Sequence, residues 1–194
     1  VASGSSIDGD SGFMVLSSGT SGSGSTGSVT VASGDATVGS SGSMVLSTGD
    51  ADDGSVGFMS LATGIATDGS AGSMSLTVGE TNAGDGGHVY VSAGMTKDSA
   101  SVGGVVSVVS GSGVSATTGH VVIRSANTVH EFGTGSMVLS SGTTNCGSSG
   151  SVTVASGSSI DGNSGSVSVL AGDVSTSGNG GSVAVIAGNG VTNG

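Results

Sequence analysis

A chain of 194 residues with 41 glycines, 13 acids, only two cations and a net charge of −11 argues against a nucleic-acid binder, whose surface needs Lys and Arg for the phosphates. One cysteine excludes an internal disulfide framework, and aliphatic runs of a few residues fall far below the ~20 that a membrane-spanning helix requires. Abundant Gly and Ser with 2% aromatics would by themselves indicate disorder, because such a chain buries too little to offset its ordering entropy.

Periodicity argues the other way. From the N-terminus the chain restates one phrase, anchored on Gly12, Gly27, Gly42, Gly57, Gly72, Gly87, Gly104, Gly119, Gly135, Gly150, Gly165 and Gly181. The step is 15 residues, with 17 at Gly87–Gly104 and 16 at Gly119–Gly135 and Gly165–Gly181. Seven places after the anchor a second glycine follows in every copy but one, where Ala126 replaces it. Such a short fixed period marks a solenoid. A flexible Gly/Ser linker has no reason to hold aliphatic residues at fixed places, and the absence of proline suits an uninterrupted hydrogen-bonded ladder.

Between the two glycines the phrase alternates, as in GSMVLSTG (42–49), and a period of two predicts a strand. The second place after the anchor is always Val or Met, and the fourth is always Leu, Val or Ile. Met in the first goes with Leu in the second: Met14/Leu16, Met44/Leu46, Met59/Leu61, Met74/Leu76 and Met137/Leu139. Ten places after the anchor, several Val coils carry an aliphatic residue (Val114, Val129, Ile160, Val191), where the Met/Leu coils carry Gly22, Asp52, Thr67, Asn82 and Asn145. A thin interior of constant thickness predicts this exchange of bulk between facing walls.

The expected fold is therefore all-β: a flattened parallel β-solenoid of about 15 residues per coil and about 12 coils, with 1–194 forming a single array. At ~4.8 Å per rung the rod would be roughly 58 Å long. Val1-Ala2-Ser3-Gly4 fits the end of a strand phrase and Val191-Thr192-Asn193-Gly194 stops in mid-coil, with no capping repeat at either end. Solenoids need caps over their open rungs, so a segment of a longer chain is expected.

Candidate chemistry is sparse along this array. Most acids fall in the second half of each coil, and phrases such as SSIDGD (5–10), DADDG (50–54) and SSIDGN (158–163) set carboxylates beside glycine turns, where calcium is the cation that suits them. The acids change place from coil to coil, and a solvated edge that resists aggregation is the favoured reading. The irregular coils of 87–134 gather His88, His120, His130, Tyr90, Lys97, Arg124 and Phe132, a candidate partner-binding patch. His88 and His120 lie two rungs apart with Val105 between them, which gives weak support for metal ligation. Cys146 stands eleven places after its anchor, the place of His130 in the preceding coil and Asp161 in the following one. Stacking would bring a nucleophile, a base and an orienter into one column, but no pocket is implied, and the expectation is no enzyme, with no catalytic, cofactor-binding or metal residues.

Two resemblances bear on function. The cadence of GSVTVASG (27–34 and 150–157) is similar to that of β-solenoid ice-binding proteins, which implies a flat face of small residues against ice. The middle outward rank, Val15, Thr30, Val45, Ser60, Ser75, Tyr90, Ser107, Val122, Val138, Thr153, Ser168 and Ala184, lacks the regular Thr of those families. Over its whole length the chain better resembles the Gly/Ser/Val tandem repeats of algal and protist surface proteins, including those of flagellar hairs (mastigoneme-like) and other extracellular filaments. That resemblance implies an extracellular or cell-surface structural rod whose partners are other copies or neighbouring repeat segments.

Overall fold

The computed structural model describes residues 2–8, 10–128 and 132–190, and it divides into two units, Val1–Tyr90 and Val91–Gly194. No helix and no strand forms among the described residues. The expected all-β, flattened parallel β-solenoid is thus corrected: the chain is largely coil, and no rungs stack into the ~58 Å rod drawn from the strand spacing.

Surface area shows how far the chain is from a packed domain. It exposes 19103 Å² for 17.7 kDa, where size scaling gives roughly 7,900 Å² for a compact monomer and roughly 25,700 Å² for an extended chain. No described residue is buried. The first aliphatic of the phrase is 49–60% exposed throughout and the second 64–95%, so neither enters a core. Val114 at 103% and Ile160 at 100% face water instead of an opposite wall; Val129 and Val191 lie outside the described residues.

The physical reason lies in the repeat. Only two places in some fifteen residues are aliphatic in every repeat, and they supply little apolar surface, while glycine, the residue that loses most conformational freedom on ordering, recurs at least twice. Burial would have to come from the neighbouring rung, and within the described chain no rung is laid down. The pairing of Met with Leu is accounted for by no contact in this structure.

Regular local structure nonetheless survives. In the first unit the chain bends at 22–24, 37–39, 52–54, 67–69 and 82–84, always ten to twelve places after an anchor. The last residue of a bend is a third glycine of the repeat, and Gly54 and Gly69 take φ of 135° and 142°, which side chains rarely adopt. After the bend the chain returns to itself: the next anchor lies against the residue nine places earlier, Gly27 at Ser18 and Gly42 at Ser33. Most repeats are thus an extended phrase followed by a loop with a closed neck, a small Ω-like loop, whereas Gly57 and Gly135 have no such approach within 4 Å.

The second unit repeats this plan with bends at 114–116, 145–147, 160–162 and 175–178. Here three necks are closed by backbone hydrogen bonds, the anchor nitrogen donating to the second glycine's carbonyl: Gly104 to Gly94 at 2.9 Å, Gly119 to Gly111 at 3.0 Å and Gly181 to Gly172 at 2.9 Å. Ser110, Ser141 and Ala171, at the necks, are half-buried, as is Ser18 in the first unit. Two of these bonded necks belong to the repeats lengthened to 17 and 16 residues, so inserted residues enlarge the loop and leave its neck intact.

Candidate functional site

The candidate residues are placed by these loops, and water reaches all that are described. Cys146 is a free, exposed thiol in the 145–147 bend, its carbonyl accepting from Thr144 Oγ1 at 2.8 Å. Asp161 occupies the next bend and is exposed, and His130 lies outside the described residues. Without stacked rungs, nothing draws Cys146 and Asp161 into a column. Among the described residues no group of three or more His, Cys, Asp or Glu stands close enough to hold a metal ion, the acids of 50–54 included.

Of the 87–134 group, His88 and Tyr90 meet, their ring centroids 5.8 Å apart and tilted by 59°, as their shared side of an alternating phrase requires. His120, Arg124 and Phe132 are exposed in the second unit.

The most elaborated local structure is where the repeat is longest. Thr96 Oγ1 accepts from the Asp98 nitrogen at 3.1 Å, Asp98 Oδ1 accepts from the Ala100 nitrogen at 3.1 Å, and Ser101 Oγ donates to Asp98 Oδ2 at 2.6 Å. The Ser101 nitrogen also reaches the Asp98 carbonyl at 3.4 Å, closing the turn. The Ser101 hydroxyl, and then the Ala100 N–H, hold the Asp98 carboxyl below its ordinary value. An exposed carboxylate so engaged shapes a turn. It has no enclosed space in which to act on a substrate.

Sequence reasoning named two glycines per repeat and missed the third, Gly39, Gly54, Gly69, Gly84, Gly147 and Gly162, twelve places after the anchor, with Gly178 one place later in a lengthened repeat. It also missed the hydroxyl that some repeats carry nine places after the anchor. Ser21 Oγ accepts from the Gly24 nitrogen at 3.0 Å, Thr81 Oγ1 donates to the Ala83 carbonyl at 2.7 Å, and Thr144 does the same at Cys146. The signal for the glycine was its recurrence outside the aliphatic phrase; the hydroxyls recur in only some repeats, with Ala36, Ala51 and Ala66 at that place in others.

No helix among the described residues is long and apolar enough to cross a membrane. Set against known proteins, the chain matches no family model, no curated protein and no solved structure.

Proposed function

We propose that the chain is a non-catalytic structural repeat of an extracellular or cell-surface fibre and that its partners are further copies of the same repeat. The observation that carries this reading is the exposure of the same aliphatic pair in every repeat, 49–60% at the first place and 64–95% at the second. Apolar surface left in water at regular intervals favours association, and a second copy offers the same pairs at the same interval. All 13 acids lie outside the eight-residue phrases that carry the pairs, so phrases can meet without desolvating a carboxylate. The resemblance to the tandem repeats of algal and protist surface filaments points the same way.

Ice binding, the second reading drawn from the sequence, needs a flat face, and no sheet among the described residues holds one. Sedimentation velocity over a concentration series tests the first reading. Growing species are expected, and the triple change Leu16→Ser, Leu46→Ser, Leu61→Ser should weaken them by at least about tenfold in apparent association constant, the loss of roughly 1.4 kcal/mol or more. A chain that stays monomeric at every concentration, yet shows thermal hysteresis and shapes ice, would overturn the fibre reading in favour of the second.

A further inference from the structure

We propose that Asn179-Gly180 and Asn189-Gly190 are sites of spontaneous modification, converted by solvent water to Asp and β-linked isoAsp through a cyclic imide. Both asparagines are exposed, and both glycines that follow them are exposed. An added Cβ on Gly190 would meet nothing within 4 Å, and one on Gly180 would meet only the Gly172 carbonyl oxygen, at 3.7 Å. Each glycine thus has open space at its Cα, and no side chain of its own crowds the reacting nitrogen. Among the described residues neither the Gly180 nor the Gly190 nitrogen donates a hydrogen bond. Each asparagine also follows a glycine, and Gly178 has φ of 129°, so the backbone on both sides can rotate to bring the groups together.

The chemistry needs only water. The glycine nitrogen gives its proton to solvent base and attacks Cγ of the asparagine, forming an N–Cγ bond. The Cγ–Nδ2 bond breaks, and ammonia leaves after taking up a proton. Water then adds to one of the two imide carbonyls. Opening at Cγ restores the original peptide link and leaves Asp; opening at the main-chain carbonyl leaves isoAsp, with one extra methylene in the backbone. Nothing is oxidised or reduced, and the sum is asparagine plus water giving a carboxylate and ammonium.

The other described asparagines form an internal comparison. Asn82 is followed by Ala83, whose nitrogen donates to Thr81 Oγ1 at 3.3 Å while Thr81 Oγ1 donates to the Ala83 carbonyl at 2.7 Å. That clamp occupies the nucleophile and fixes the peptide plane. Asn127, Asn145 and Asn163 precede Thr128, Cys146 and Ser164, each with a side chain beside the attacking nitrogen. Two conversions would take the net charge from −11 to −13, that is −11 − 2, with both new charges outside the aliphatic phrases. The same ring can close at Asp53-Gly54, Asp68-Gly69, Asp85-Gly86 and Asp161-Gly162 with loss of water, more slowly because an ionised carboxylate is a poor electrophile.

The test is to incubate the intact chain in heavy-oxygen water at neutral and mildly alkaline pH and map its peptides by mass spectrometry. Expected is replacement of the amide NH₂ by heavy-oxygen hydroxyl at Asn179 and Asn189, with paired Asp and isoAsp products and a rate that rises with pH. Gly180→Ala and Gly190→Ala should each slow their own site by roughly tenfold or more, since the added Cβ crowds the nucleophile and narrows the backbone's range. The proposal is overturned if neither site converts, if either alanine variant converts at the parent rate, or if Asn82, Asn127, Asn145 and Asn163 convert as fast as the two Asn-Gly sites.

Discussion

Heating the intact chain should produce no sharp unfolding transition. The surface left to expose is the difference between roughly 25,700 Å² for the extended chain and the 19103 Å² already exposed, or about 6,600 Å². A compact monomer of this mass would expose about 17,800 Å², so the change here is little more than a third of that. For a packed domain of 194 residues, per-residue averages give an unfolding enthalpy near 140 kcal/mol and a heat-capacity increment of about 2.3–2.9 kcal/mol/K. Scaled by exposed area, the increment falls to about 1 kcal/mol/K. Because the residual contacts are separate loop necks, they should melt one by one. Scanning calorimetry at a dilution where the chain is monomeric should show a shallow, broad rise in heat capacity, and far-ultraviolet dichroism should drift without a sigmoid. A single cooperative endotherm approaching 140 kcal/mol, with a sheet signal lost at the same temperature, would refute the reasoning.

Two further outcomes follow from single turns. The Ser101 hydroxyl is the largest influence lowering the Asp98 pKa and the Ala100 N–H the second, so Ser101→Ala should move that pKa upward, as followed by carbon NMR of the carboxyl. The group is favoured as the carboxylate in the turn, so its support of the turn is full above the ordinary Asp range and is lost as pH falls through the lowered value; an unchanged titration in the variant would contradict the assignment. At Gly87, an added Cβ would stand 2.6 Å from Val78 Cγ1, whereas one on Gly57 would meet nothing within 4 Å. Gly87→Ala should force Val78 from its rotamer or open the neck at up to about 1.5 kcal/mol. It should shift the Val78 methyl resonances, while Gly57→Ala leaves those of its own repeat in place.

The parts of this structure that could be read from sequence are those set by a repeat acting on itself. Gly27, Gly42 and Gly119 were marked by spacing alone, and each returns to the preceding repeat at a loop neck. Alternation in Met44, Val45 and Leu46 reports a chain with sides, and the first aliphatic does keep more cover than the second in its own repeat. Alternation does not report whether another strand lies alongside, because the same pattern serves an extended segment with no partner. The two-walled core failed at that step, with Val114 and Ile160 placed inside by pattern and fully exposed at a bend. The Cys146–His130–Asp161 column depended on the same stacking. Thr81 and Thr144 act within two residues of themselves, a distance at which sequence is informative, but Ala36, Ala51 and Ala66 stand at the same place in other repeats and mask the pattern.

What decides association is how two opposed terms scale with repeat number. In the Gly150 repeat, Val152 and Val154 are 49% and 67% exposed. Covering what remains of this pair, at about 1.5–3 kcal/mol for a whole Val side chain, contributes about 1.7–3.5 kcal/mol. The acids number 13 over twelve repeats, about one each, and two exposed unit charges even 4 Å apart repel by only about 1 kcal/mol in water before salt screens them. Carboxylate repulsion is therefore the smaller term per repeat. The larger opposing term is the ordering of the glycine-rich backbone, which one repeat cannot offset with its aliphatic pair. Phrases in register along a chain share that cost, because fixing one repeat against a partner confines its neighbours and raises the effective concentration of the next pair. Association should accordingly be negligible for a single repeat and steepen with the number in tandem. If the repeat assembles, copying it many times with an aliphatic residue kept at both places and the acids kept in the loops favours the contact.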